Sequence, residues 1–160
     1  MKLGIISDTH VYDRAKYLPK KVLDVLLKEE VDLIIHAGDL TSTKILEELE
    51  SIAEVIAVRG NMDELQLPEQ QKIKIGNFNF LIFHGHGIYP RGDITKLVYK
   101  TLEEKCNVLI TGHTHRPSIL EINGIRIINP GSPTVPRYDK PTFMISEIKE
   151  DRIITKIVEV

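Results

Sequence analysis

Three apolar runs separated by two stripes of apolar residues at helical spacing constrain this chain more than any other feature. Leu3-Gly4-Ile5-Ile6 is the first run. A run with no polar alternation suits a strand covered on both faces. Asp8 to Tyr17 reads as a loop. Pro19 can open a helix, because its missing N–H is not needed in the first turn. Val22, Leu23, Val25, Leu26 and Leu27 then give that helix its inward stripe. Asp32–His36 is a second buried strand. Thr41 or Ser42 caps a second helix, with Ile45, Leu46 and Leu49 facing inward. Glu54–Val58 is the third strand. The order β-α-β-α-β implies a parallel sheet with right-handed crossovers.

The pattern changes at Lys72. Lys72-Ile73-Lys74-Ile75 alternates, Gly76-Asn77 turns, and Phe78–Phe83 continues, which predicts a hairpin. Asp93 can cap a third helix with Ile94, Leu97, Val98 and Leu102 inward. Asn107–Ile110 is another buried strand. Ile119–Ile122, Asn123-Gly124 and Ile125–Ile128 form a second hairpin with a strong turn signal. Two last strands run from Thr142 to Ile148 and from Ile153 to Val158. The chain thus begins as alternating α/β and ends as mostly antiparallel β. It has too many strands for one small sheet, so two stacked sheets with helices outside is the natural packing. Pro130-Gly131-Ser132-Pro133 and Pro136 mark one ordered loop rather than a boundary, and residues 1–160 read as a single domain.

Charge narrows the function. The 21 Lys and Arg nearly balance 23 Asp and Glu, giving a formal net charge of -2. A nonspecific nucleic-acid binder carries a basic excess, which is missing here. One cysteine, Cys106, cannot form an internal disulfide or a structural zinc site built from four thiolates. The first apolar run is too short for a signal peptide, and no run approaches the roughly 20 apolar residues of a membrane helix. A cytoplasmic protein is expected.

Short Asp, Asn and His clusters follow the apolar runs. They are Asp8-Thr9-His10, Gly38-Asp39, Gly60-Asn61, His84-Gly85-His86 and Gly112-His113-Thr114-His115. Alone, each reads as a turn, a cap or a strand-end histidine. Together they put seven oxygen and nitrogen ligands, Asp8, His10, Asp39, Asn61, His84, His113 and His115, where α/β sheets build their sites. Two metals about 3.5–4 Å apart form a recurring site of phosphate-ester hydrolysis. A nitrogen and oxygen set without thiolate fits Mn, Fe, Co, Ni or Zn rather than calcium.

In this order the motifs resemble those of the calcineurin-like metallophosphoesterases, and specifically their small single-domain prokaryotic phosphodiesterases. Asp8-Thr9-His10 is similar to the family's Asp-x-His, Gly38-Asp39 to its Gly-Asp, and Gly60-Asn61-Met62-Asp63 to its Gly-Asn-His-Asp/Glu. His84 corresponds to its lone histidine and Gly112–His115 to its Gly-His-x-His. Asn129-Pro130-Gly131-Ser132, followed by Pro136-Arg137, is similar to a motif of the small subgroup. The resemblance implies an α/β fold, a four-layer α-β-β-α sandwich of two mixed sheets flanked by helices. It also implies one metal on Asp8, His10 and His115, another on Asn61, His84 and His113, and Asp39 bridging them. Mn(II) or Ni(II) are the metals it favours. The implied reaction is attack of a metal-bridging hydroxide on a small or activated phosphate ester, with Asp39 and Asn61 in the catalytic centre.

One departure bears on catalysis. The histidine that follows Gly-Asn in related enzymes is Met62 here. Met62 cannot give a proton to a leaving group, so esters that depart without a donor are expected, or His86 acts as general acid in its place. His36 reads as a core residue that helps orient a ligand. Arg14 and Arg137 are candidate phosphate contacts but read more simply as surface residues. The loops Tyr12–Tyr17 and Tyr89–Asp93 flank the centre and are candidates to set substrate choice. Two other classes compete: a noncatalytic scaffold similar to the retromer subunit of this fold, and a nuclease. Short members of the family often self-associate, which leaves the oligomeric state open between a monomer and a homo-oligomer.

Overall fold

The computed structural model describes residues 1–137 and 140–160. Two five-stranded sheets face each other. The first has the order β10-β9-β1-β2-β3, built from β1 (Lys2–Ile6), β2 (Leu33–His36), β3 (Glu54–Ala57), β9 (Thr142–Ile148) and β10 (Ile153–Glu159). The second has the order β4-β5-β6-β8-β7, built from β4 (Gln70–Ile75), β5 (Phe78–Phe83), β6 (Val108–Ile110), β7 (Ser118–Ile122) and β8 (Ile125–Asn129).

Strand alternation divides the apolar residues among three layers of core. Leu3, Ile5, Leu33, Ile35, Phe80, Ile82, Val108, Ile110 and Met144 meet between the sheets. Ile6, Ile34, Phe143 and Ile145 point the other way. They pack under α1 (Lys20–Lys28) and α2 (Thr43–Glu50) through Val22, Leu26, Ile45 and Leu49. Leu81, Leu109, Ile125 and Ile127 pack under α3 (Ile94–Glu103) through Leu97 and Val98. This is the four-layer α-β-β-α arrangement, and it explains why the strands read as continuous apolar runs: both faces are covered.

Pairing follows the sequence reading in the first sheet, where β1, β2 and β3 are parallel. The second sheet differs at its centre. The hairpins β4–β5 and β7–β8 are antiparallel, but β5–β6 and β6–β8 are parallel. The α3 crossover carries the chain back to the start of the sheet, so β6 must run the same way as β5. Ser42, not Thr41, caps α2 by accepting from Lys44 N at 3.2 Å. Leu27 and Leu102, expected to face inward, are about half exposed. Each lies about a quarter turn or more from the middle of its helix's buried stripe. Thr101 takes the inward place on α3, its hydroxyl donating to Leu97 O at 2.8 Å. The hairpin turn Asn123-Gly124 has φ of 51° and 76°, the positive pair that a type I′ turn requires.

Candidate metal centre

The carboxyl ends of β1, β2, β5 and β6 meet at one edge of the two sheets. Asp8 and His10 follow β1, Asp39 follows β2, His84 follows β5, and His113 and His115 follow β6. Five of these six residues have left-handed backbone: Asp8 (φ 55°), His10 (45°), Asp39 (57°), His113 (67°) and His115 (57°). Asp and His are enriched in this region among non-glycine residues. Such conformations persist only where the surroundings over-determine them, and they cluster at functional sites.

Two groups of buried ligand atoms form, Asp8 with His10 and His115, and Asp8 with Asp39 and His84. Asp8 Oδ1 stands 3.3 Å from His115 Nε2, 3.9 Å from His84 Nε2 and 4.0 Å from His10 Nε2. Asp39 Oδ2 lies 3.3 Å from His84 Nε2 and 3.5 Å from His10 Nε2. Both carboxylates therefore sit between the two sets of histidines. Asp8 Oδ1 is fully buried with no hydrogen-bond partner among the described residues. An ionised oxygen left so would be costly, and a cation is the partner that removes the cost.

The histidines are oriented from behind. His10 Nδ1 is 3.0 Å from Asp13 Oδ2, His84 Nδ1 is 2.7 Å from Ala37 O, and His115 Nδ1 is 2.6 Å from Val135 O. Each acceptor needs a proton on Nδ1, which assigns the tautomer and turns Nε2 inward. Oxygen acceptors behind metal-bound imidazoles are the usual device for raising ligand basicity. His10 Nε2 and His115 Nε2 approach to 3.3 Å, so two lone-pair positions converge on one point.

The loops are tied together by side chains the ligands need. Asp63 accepts from Asp39 N and Gly60 N, both at 2.8 Å, and from Thr41 N at 2.7 Å. Met62 N donates to Asp39 Oδ1 at 2.8 Å, leaving Oδ2 to face the histidines. Ser132 Oγ donates to Asp8 O at 2.7 Å and accepts from Val135 N at 2.8 Å. Asn129 Nδ2 donates to Gly112 O at 2.9 Å and Thr114 Oγ1 at 3.0 Å. The Asn129–Ser132 stretch thus braces two ligand loops at once. Gly60 is required by closeness: a Cβ there would lie 2.1 Å from Asp39 Oδ1 and 2.4 Å from Asp39 N.

Charge follows this geometry. Burial pushes the Asp8 carboxyl up, but His115, His84 and Ser7 outweigh it and hold it below its usual value. Burial likewise opposes ionisation of Asp39, yet the hydrogen bond and charge of His84, with Met62 N and His10, lower it to about 2. His84 is raised despite burial, because Asp39 and Asp8 face it. Burial with the charges of His84 and Arg91 lowers His113 to about 4, against the pull of Asp8 and Asp39. A cation entering this centre would have to displace the proton that Asp39 and Asp8 favour on His84.

A profile of the calcineurin-like phosphoesterase superfamily domain matches residues 1–151. The chain belongs to the calcineurin-like phosphoesterase superfamily. It is 46% identical over 160 residues to a probable metallophosphoesterase of Methanocaldococcus jannaschii, covering all of this chain and 82% of that protein. Its fold is similar to the zinc complex of Vps29 from Entamoeba histolytica, at 30% identity and a TM-score of 0.86, covering 99% of each chain. It is also similar to an archaeal phosphodiesterase, at 27% identity and a TM-score of 0.76, covering 99% of this chain and all of that one.

In this phosphoesterase the remaining sequence candidates take varied places. His113 adjoins the two groups, its ring centroid 5.1 Å from that of His84, and its backbone N donates to Asp8 Oδ2 at 3.0 Å. Asn61 is exposed, with Oδ1 at 3.2 Å from His84 Nε2. His86 stacks at 5.7 Å from His84, with Nε2 3.2 Å from Glu69 Oε2. Burial and the charges of His84 and Arg59 lower His86, against the pull of Asp39. His36 is buried against the Thr9 hydroxyl at 3.2 Å, and burial drives it down to about 3. Met62 is exposed and its main chain, not its side chain, serves the centre. Arg14 pairs with Asp13 at 3.4 Å, and Arg137 lines a cavity beside His113. Sequence reasoning missed Asp13, although its place three residues after His10 was a legible signal. It also assigned no role to Asp63 or to the carbonyls of Ala37 and Val135.

Proposed function

We propose that this phosphoesterase hydrolyses phosphodiesters of small or activated alcohols with two divalent cations at this centre. Asp8, His10 and His115 would hold one cation, Asn61, His84 and His113 the other, with Asp39 between them. The observation that carries the reading is the convergence of three inward Nε2 atoms on two buried carboxylates, one of which has an unpartnered oxygen. Bound there, Mn(II) or Ni(II) would supply an acidified water and positive charge for the phosphoryl oxygens.

The chain supplies the rest. Asp13, Ala37 and Val135 fix the imidazoles, and Met62 N with Asp63 fixes Asp39, so the charge is positioned before substrate arrives. Position 62 offers no proton to a leaving alcohol, which favours leaving groups that depart as anions. A cavity of about 480 Å³ beside His113 gives a diester's second substituent a place. No helix among the described residues is long and apolar enough to cross a membrane.

A panel of phosphomonoesters and diesters, offered to chelator-stripped protein with each metal added back, tests this. Turnover of aryl diesters restored by Mn(II) or Ni(II) is expected. Activity in verified metal-free protein, or a preference for monoesters, would contradict it. The likeness to Vps29 supports one other reading, a noncatalytic assembly scaffold, which retained metal with no turnover of any ester would select.

A further inference from the structure

The cavity beside the centre has a chemical character of its own. It shares Gly112 and His113 with the loops of the centre and is lined also by Arg91 and Gly92 of the turn before α3. Its inner wall is apolar, formed by Ile94, Leu97, Leu120 and Ile127, of which Leu97 and Ile127 are buried. Its outer lining carries three exposed arginines, Arg91, Arg116 and Arg137, from three separate segments. No described Asp or Glu lines it. In a chain of net charge -2, a cavity lined by arginines and by no described Asp or Glu is a local reversal of charge.

The backbone that presents Arg91 is held in place. Asp93 N donates to Pro90 O at 3.0 Å, and Asp93 Oδ1 accepts from Lys96 N at 2.9 Å, capping α3. The Lys96 ammonium donates to Tyr89 O from the same helix. Gly92 (φ 73°) packs so closely that a Cβ would lie 2.7 Å from Thr114 Cγ2. The turn that follows Arg91 therefore packs against the loop that carries His113 and His115. Arg116 follows His115 directly, with its N donating to Thr114 Oγ1 at 3.3 Å.

We propose that this cavity is a substrate subsite that binds the second substituent of the diester and selects one with a flat apolar body ending in a negative charge. The apolar wall takes the body, and the guanidinium groups of Arg91 and Arg137, which match carboxylate and phosphate oxygens in pairs, take the terminus. This rests on the hydrolase reading for the placement of the phosphoryl group, but the subsite is a binding claim in its own right.

The test uses two diesters of 4-nitrophenol, one with a 4-carboxyphenyl and one with a 4-carbamoylphenyl second substituent. They have the same shape and differ by one charge. The metal-loaded protein should favour the carboxylate by about tenfold in kcat/KM, equal to about 1.4 kcal/mol. The ratio should fall toward one in an Arg91→Gln/Arg137→Gln variant and persist in Lys20→Gln on the remote helix α1. Calorimetry with non-hydrolysable phosphonates of the same two shapes should give the same tenfold difference in Kd. If no diester is turned over, the hydrolase reading fails and the calorimetric comparison still decides the subsite. Equal affinity for the two phosphonates would overturn it. So would a preference that survives loss of both arginines, because the metals' own charge or Arg116 would then be its source.

Discussion

Asp13 gives a sharp prediction, because it is not itself a proposed ligand yet orients one, His10. Its carboxylate accepts from His10 Nδ1 at 3.0 Å, and Asp13→Ala removes that acceptor. The loop itself should stay, since Arg14 N and Ala15 N both donate to His10 O at 2.9 Å independently of the side chain. A hydrogen bond to a charged group contributes about 1.5–3 kcal/mol. Asp13 is about one-third exposed, so solvent screening puts the figure in the lower part of that range. Loss of an oxygen acceptor behind a metal-bound histidine typically costs about 10–100-fold in metal affinity. That is about 1.4–2.7 kcal/mol, the same scale reached independently. Isothermal titration of Mn(II) into chelator-stripped protein should show a loss of at least tenfold for Asp13→Ala and a smaller one for Asp13→Asn, which keeps an acceptor. Arg14→Ala, which removes only an exposed partner of Asp13, should bind as the parent does. An Asp13→Ala protein whose affinity stays within threefold of the parent would refute the claim that His10 Nε2 is aimed from behind.

Other perturbations probe separate parts of the account. Met62→His should raise turnover of diesters with alkyl leaving groups by about tenfold or more relative to 4-nitrophenyl esters, since a positioned acid contributes about 10²–10⁴-fold; a flat response across leaving-group pKa would count against it. Gly60→Ala should destabilise the metal-free protein by about 1–3 kcal/mol in urea, because its Cβ meets Asp39 main chain that cannot give way; an unchanged midpoint would show the contact to be softer than drawn. Asp39→Asn should abolish most metal-dependent turnover, and near-normal rates in metal-replete buffer would contradict a shared role. His36 is held near 3 when folded and titrates at 6.5 when unfolded, so the unfolded chain binds more protons between those values and stability falls as pH drops from 6.5 toward 3. In metal-free protein, urea unfolding at pH 5 should therefore show a loss from pH 7.5 about 2 kcal/mol larger for the parent than for His36→Gln. Equal losses would place the titration elsewhere.

Much of the fold is legible in local pattern. The runs at Leu3–Ile6 and Asp32–His36 are apolar because both sheet faces are covered, and Asn123-Gly124 declares its turn because few other pairs accept two positive φ values. Leu27 and Leu102 misled because an apolar residue at a helix's flank satisfies the count without reaching the core. The parallel β5–β6–β8 centre was hidden because β7 pairs outside β8, a fact of topology rather than of any one segment. At the candidate site, Asp and His side chains stand out after strands, so the residues that could hold a metal were visible. Their supports were not. Ala37 and Val135 act through carbonyls, which every residue carries, and the arginines of the cavity come from three segments that only the fold unites. Asp63 stood inside a quoted motif, but its three backbone donors come from two loops.

The most direct measurement is anomalous scattering at the manganese edge from crystals soaked in Mn(II). Two peaks about 3.5–4 Å apart are expected between the Asp8 and Asp39 carboxylates, one beside His10 and His115 and the other beside His84, each met through Nε2. Density showing no ion between those carboxylates, or imidazoles turned to present Nδ1, would contradict the account.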